Sequence, residues 1–481
     1  VSSPDQQPLP SATGAARDSA AGPRGSFLHD LRVVWAERGF RRLFTTRLIS
    51  QAGDGAFTAG LGSYVFFNAT TYPNPASAAG AFAVLYLPYS LIGPFAGIFI
   101  DRWSRRQILV WSAITRAAFV VLTASLVASG TLGVPLYAAA LLVLGVNRFF
   151  LSSLSAALPH VVEDDKLVMA NGVSPTAGGI TATVGGLAAL GVHVATGGGN
   201  FGSAMTLLAA GCCYLLAGAA AATMHRDLLG PTRDPSEPST GGAMAQLAAV
   251  AAGLSAIAAG LAAGARYVWR RPRARAALGA IGGNKLMYGT LFLLAILLYR
   301  NYFYPANSTE ALSHFSSLVV VPAAIGYGAA AFVTPPVTRR ISKQAWIAIA
   351  LASAGVLTGA FGELFAQITF VIIAFGVNVA GQSVAISAIT ILQEEVADGF
   401  RGRVFAFYDM MSNVPFVAGA AVSALFMPLT GKSYWIIGAV AAGYLLVAGS
   451  YWLAGRGGDG GPIAAQESGR SPSRSAQASS S

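Results

Sequence analysis

Asp54 stands in the stretch RLISQAGDGAF, Arg47 to Phe57. Arg47, Gln51, Asp54 and Thr58 follow one another at three- and four-residue spacing, which places all four on one face of a helix. A carboxylate in largely apolar surroundings has two uses. It can bind and release a proton, so that proton movement is exchanged for movement of a second solute. It can also form one half of a static ion pair between helices. The other ionic groups set inside apolar runs are Arg116, Arg148 beside Asn147, Lys285 beside Asn284, and Asp409. Each costs roughly 3 kcal/mol to place in the middle of a membrane helix, so each demands a partner, a cavity or a function. Asn378 and Gln382 lie four apart and share a helix face.

The elements that must carry these groups are read from composition. The chain has 481 residues, 54% of them hydrophobic and 11% charged. Soluble chains carry about 25% charged residues, so lipid is the solvent this surface expects. The net charge of +11 comes from short Arg clusters between apolar runs. A nucleic-acid binder would instead show a basic face interleaved with aromatics, and that class is excluded. Apolar runs of about 20 residues predict twelve spans: 44–67, 80–100, 107–129, 135–158, 168–195, 201–223, 276–299, 312–337, 344–362, 367–392, 403–429 and 434–454. The expected fold is therefore an all-α membrane protein, with twelve transmembrane helices in two six-helix halves, 39–223 and 276–455. Residues 1–38 and 456–481 read as disordered cytoplasmic tails, and 224–275 as a cytoplasmic linker.

Charge sets the orientation. With the N-terminus inside, only Arg300 and Lys432 fall on the outer side. Arg47, Arg116, Arg148 and Lys285 fall within spans, and the rest of the 31 Lys and Arg residues lie inside. The positive-inside rule then puts both termini in the cytoplasm of a multi-pass protein of the cell membrane. The Ala- and Gly-rich run 241–265 is long enough to cross, but a thirteenth span would invert this charge pattern. It is read as a lateral helix leading into the basic segment 266–275. Adjacent Cys212 and Cys213 point in different directions and form no bridge. No phosphate-cradling loop, metal set or nucleophile elbow occurs, so the expectation is no enzyme, no cofactor, and a proton gradient as the energy source. His193, near the outer end of its span, reads as structural.

The stretch GPFAGIFIDRWSRRQIL, Gly93 to Leu109, packs one carboxylate and three guanidiniums between two apolar runs. Gly97, Asp101, Arg102, Arg105 and Arg106 resemble the loop motif of the major facilitator superfamily, with Ser104 in place of its second Gly. RLISQAGDGAF, ALPHVVEDDKLVMANG (Ala157 to Gly172) and LQEEVADGFRGRVFAFYDMMSNV (Leu392 to Val414) resemble the drug:proton antiporter branch that includes macrolide-efflux and enterobactin-export proteins. The resemblance covers roughly residues 40 to 455. It departs from the antiporter pattern at Gly186, where a Pro is expected.

That resemblance implies helices one, four, seven and ten around a central cavity. It pairs Asp54 with Arg148 for proton coupling. It also implies substrate contacts from Gln51, Thr58, Asn147, Lys285, Tyr288, Asn378 and Gln382. Gly97, Asp101, Arg102, Arg105 and Arg106 become a cytoplasmic latch between the halves, joined by Arg116 and Asp409. The expected function is proton-coupled efflux of a small amphipathic, drug-like compound by alternating access, from a monomer in the bilayer. A dedicated siderophore or metabolite exporter is the alternative within transport. A non-transporting membrane scaffold or sensor is the alternative from another class.

Overall fold

The computed structural model describes residues 37–67, 75–76, 78–83, 104–162, 167–225, 229, 259–260, 262–305, 310–396 and 398–456. Its long helices are α1 Arg38–Phe67, α2 Arg105–Ala128, α3 Val134–Ala157, α4 Leu167–Ala195, α5 Gly199–Ala222, α6 Pro272–Leu298, α7 Glu310–Thr338, α8 Lys343–Gly362, α9 Gln367–Glu395, α10 Asp398–Ala424 and α11 Tyr434–Arg456. Each falls on an expected span. Most of the expected second span, most of the Ala-rich run 241–265, and Gly97, Asp101 and Arg102 lie outside the described residues. No strand occurs among the described residues.

Among the described residues nine helices are long and apolar enough to cross a membrane. The two long helices outside that set are α1, with 30 residues, and α10, with 27. These two carry Asp54 and Asp409. Charge on the two helices lowers their hydropathy without shortening them, and a helix flanked by protein on its charged face tolerates it.

The packing order repeats. In the first half α1 packs on α4 and α5, and α2 packs on α3 and α5. In the second half α6 packs on α10 and α11, and α8 packs on α9 and α11. Glycines fix the central crossing in both. A Cβ added at Gly55 would lie 1.7 Å from the carbonyl oxygen of Ala182, and one at Gly185 would lie 2.3 Å from that of Ala52. A Cβ at Gly289 would meet the carbonyl of Phe416 at 2.0 Å, and one at Gly419 that of Leu286 at 2.0 Å. Only a residue without Cβ lets the backbones approach this closely, and close backbone approach is what holds helices together in lipid. The same number of residues separates Gly55 from Gly289 as separates Gly185 from Gly419, Ala52 from Leu286 and Ala182 from Phe416. The two crossings are structural copies. In the second, the Thr290 hydroxyl also donates to the Gly419 carbonyl at 3.0 Å.

Arginines close one end of the first half. Arg106 donates to the Ala222 carbonyl at 2.6 Å and Arg42 to the Thr223 carbonyl at 2.9 Å. Both satisfy orphan carbonyls at the negative end of α5, where a cation is favoured. Arg105 donates to the Leu229 carbonyl at 3.1 Å and contacts the His160 ring beyond α3 at 3.1 Å.

If the glycine crossings set the spacing, Gly289→Ala must push α6 off α10 and cost about 1–3 kcal/mol, as overpacked interiors do. A Cβ added at Gly449 in α11 would have nothing within 4 Å, so Gly449→Ala leaves stability unchanged. Thermal unfolding of the two purified variants checks this; equal stability would remove the crossing from the account.

Candidate functional site

Asp54 lies midway along α1, about 24 Å from the helix start at 1.5 Å per residue. Glycines flank it, and each makes room for something. Gly55 admits the α4 backbone, as above. A Cβ at Gly53 would stand 2.7 Å from the Tyr214 ring, so Gly53 lets that ring from α5 lie against α1. The Tyr214 hydroxyl then donates to Asp54 Oδ1 at 3.1 Å. Asn147 Nδ2 of α3 donates to Asp54 Oδ2 at 3.3 Å. Arg116 of α2 forms an ion pair with Asp54 Oδ1.

Arg116 is fully buried, with 1% of its side chain exposed, whereas Asp54 keeps 18%. The difference places the cation behind the carboxylate and leaves the carboxylate at the surface of the cavity. Burying a guanidinium is costly unless its donors are matched. Arg116 meets most of that requirement in three ways, although its Nε is left without a hydrogen-bond partner among the described residues. It pairs with Asp54, it donates to Ser50 Oγ at 2.9 Å, and it lies 3.6 Å from the centroid of the Tyr214 ring. Four helices of the first half therefore converge on one carboxylate.

The cavity occupies about 630 Å³ between the halves and is lined by Gln51, Asp54, Thr58, Asn147, Tyr288 and Asn378 among others. That volume suits a drug-sized molecule, and the mix of aromatic walls with a few polar groups is the usual make-up of such sites. Tyr288 is in hydrogen-bond contact with Asn378, whose Nδ2 also donates to the Ala374 carbonyl at 2.8 Å. Thr58 donates to the Asp54 carbonyl at 2.8 Å along its own helix. Gln51 accepts from Arg47 Nε at 3.3 Å. Gln382 is in contact with the hydroxyl of Tyr327, itself a lining residue. Lys285 is half-buried and sits 5.7 Å from the centroid of the Tyr288 ring.

At the end where α1 stops and α7 starts, rings from both halves interlock. Phe67 meets Phe315 at 4.9 Å between centroids, and Phe82 meets Phe292 at 5.7 Å and Phe416 at 5.8 Å. These rings wall one end of the cavity from both halves.

Two expectations change. Asp54 pairs with Arg116 and not with Arg148. Consecutive helix residues are turned about 100° from each other, so when Asn147 faces Asp54 its neighbour Arg148 cannot. Arg148 is instead within electrostatic reach of Asp409 on α10, across the interface between halves. Arg116 does not join a cytoplasmic latch, because it lies eleven residues into α2, about 16 Å from that helix's start. Asp409 has Arg148 within electrostatic reach, and its expected partner Asp101 lies outside the described residues. As for the latch, every bond described for Arg105 and Arg106 is made to the first half or to Leu229 of the linker.

Sequence reasoning does not single out Ser50 and Tyr214. Ser50 has a signal, since it lies four residues before Asp54 on the same helical stripe. Tyr214 has only its polar tip in a run of small and aliphatic residues. A third set is also visible only in the fold. Ser63 on the cavity wall lies 2.8 Å from Ser203 Oγ, which lies 3.4 Å from Nδ1 of buried His193.

Removing one partner of a buried pair leaves an uncompensated charge, at a cost of about 3–5 kcal/mol. Arg116→Gln should therefore lower the unfolding temperature far more than Arg148→Gln, whose side chain is only half-buried. Fluorescence-detected thermal unfolding of both variants checks the pairing; a larger loss at Arg148 would reverse it.

No known family profile matches the chain. It is 33% identical over 404 residues to an uncharacterized MFS-type transporter of Mycobacterium bovis, a match covering 84% of this chain and 88% of that protein. The same figures hold for an uncharacterized MFS-type transporter of Mycobacterium tuberculosis. Among solved structures, the nucleoside transporter NupG superposes with a TM-score of 0.61 at 15% identity, covering 87% of this chain and 99% of that one. The POT family transporter PepTSo gives a TM-score of 0.62 at 13% identity, covering 88% and 98%. The structures establish likeness of fold, and the mycobacterial relatives carry the family: the chain belongs to the MFS-type transporters, the major facilitator superfamily.

Proposed function

We propose that this membrane transporter exports a small amphipathic compound by alternating access, with proton entry as the driving force and Asp54 as the proton carrier. One observation carries the coupling. Asp54 is the carboxylate on the cavity wall, and its charge is held by Arg116, Tyr214 and Asn147 from three other helices. Protonating it releases Arg116 from its partner and loosens the joint among α1, α2, α3 and α5. A solute in the same cavity competes for the same groups. Protonation and solute binding thereby act on one set of contacts, which is the requirement for coupling two fluxes.

Export as the direction rests on the resemblance to the efflux branch. Under the charge-derived orientation α1 runs outward, and the end walled by rings from both halves is the outer one. A membrane potential of 100 mV supplies about 2.3 kcal/mol per proton, and a pH gradient adds to it. Coupling through Asp54 requires no second cofactor.

In everted vesicles energised by respiration, at least one compound of an amphipathic panel should discharge the pH gradient, read as recovery of acridine-orange fluorescence. Asp54→Asn should reduce that recovery at least about tenfold, since one neutralised carrier removes the coupled step. Flux that persists in Asp54→Asn and after a protonophore would show a uniporter, and no flux of any compound would show a non-transporting protein.

A further inference from the structure

The ionic groups around the cavity are not all matched. Asp54 is matched by Arg116, and Asp409 lies within reach of Arg148. Lys285 has no carboxylate and no hydrogen-bond partner among the described residues; its one described contact is the face of Tyr288. The one described partner of buried Arg47 is the neutral amide of Gln51. Two cations thus lack a counter-charge among the described residues.

Lys285 is not itself on the cavity wall, but it stands on the stripe of α6 that forms that wall. The other faces of α6 are occupied. Leu286 and Gly289 press on α10, Gly283 meets Val447 and Met287 meets Gly443 on α11, and Asn284 meets Gly381 on α9. What remains is the stripe of Lys285, Tyr288, Phe292 and Ile296, of which the last three line the cavity. Lys285 lies one turn below Tyr288 on that stripe, away from the end walled by rings. Its counterpart in the first half, at the separation set by the glycine crossings, is Gln51, which is a lining residue. An ammonium group in this position is costly unless something anionic shares it.

Resting on the transport reading above, we infer that the solute carries an acidic group, and that Lys285 binds this group while the rings of Tyr288 and Phe292 hold an aromatic or apolar body. The ligand class is an aryl-alkyl carboxylate or a similar amphipathic anion. Arg47 adds a second positive charge one turn beyond Gln51 on the facing helix and draws the anion in from that side.

The probes are 2-naphthylacetate, 2-naphthylethanol and 2-naphthylethylamine, one ring system with an acidic, a neutral and a basic head. Each is titrated calorimetrically into the full chain in lipid nanodiscs. The acid should bind at least about tenfold more tightly than the amine, the scale of one charge-assisted contact. Lys285→Gln should weaken the acid about tenfold and leave the alcohol unchanged, and Lys285→Arg should keep the preference. Tighter binding of the amine, an acid affinity untouched by Lys285→Gln, or no binding of any probe to folded chain would each overturn the inference. The vesicle assay reads transport whatever the ligand's charge. A chain that moves amines and ignores acids loses only this inference, and an acid bound through Lys285 but never moved contradicts only the transport reading.

Discussion

Burying a guanidinium in a membrane protein is costly unless an anion matches it, and Arg116 is buried completely. Asp54 is that anion, and the requirement organises the first half around it. Arg116 reaches Asp54 only if α2 and α1 keep their register. Tyr214 reaches it only if α5 lies against Gly53, and Asn147 only if α3 turns one particular face inward. Each of these contacts is with the same two oxygens. One carboxylate thereby ties four helices together.

The second half is built on the same frame without the charges. Counting by the separation of the glycine crossings, Asp54 corresponds to Tyr288, Arg116 to Ala350 and Tyr214 to Ala448. The crossing of α6 with α10 keeps its glycines and its carbonyl contacts, while the ion pair is replaced by aromatic and small residues. The duplicated scaffold thus divides its work. One half holds a polar network about Asp54, and the other presents rings. The cavity lies where the two meet, walled at one end by rings from both.

Much of the fold was legible because membrane thickness fixes the length of an apolar run. The eleven described helices begin and end within a few residues of the expected spans. Their starts drift where basic residues extend a helix past the lipid, as Arg38 to Arg42 do for α1. Asp54 stood out because a carboxylate in an apolar run needs a reason. Its partner did not. Arg116 and Arg148 both sit inside spans, and choosing between them needs depth and helical phase together. Depth alone made Arg148 attractive, but phase belongs to Asn147. The glycines around Asp54 looked like generic packing residues. Their separate purposes, one for a ring and one for a backbone, depend on neighbours that sequence does not name. The latch motif's first residues lie outside the described chain, Arg106 caps the end of α5, and Arg105 bonds Leu229 of the linker.

The most direct test of this account is the coupling energy between Asp54 and its two possible partners. Unfolding stability is measured for Asp54→Asn, Arg116→Gln, Arg148→Gln and the two double variants that contain Asp54→Asn. The pairing described above predicts an interaction of more than about 1 kcal/mol between Asp54 and Arg116 and close to none between Asp54 and Arg148. Additive effects at Asp54 and Arg116, with coupling instead to Arg148, would contradict it.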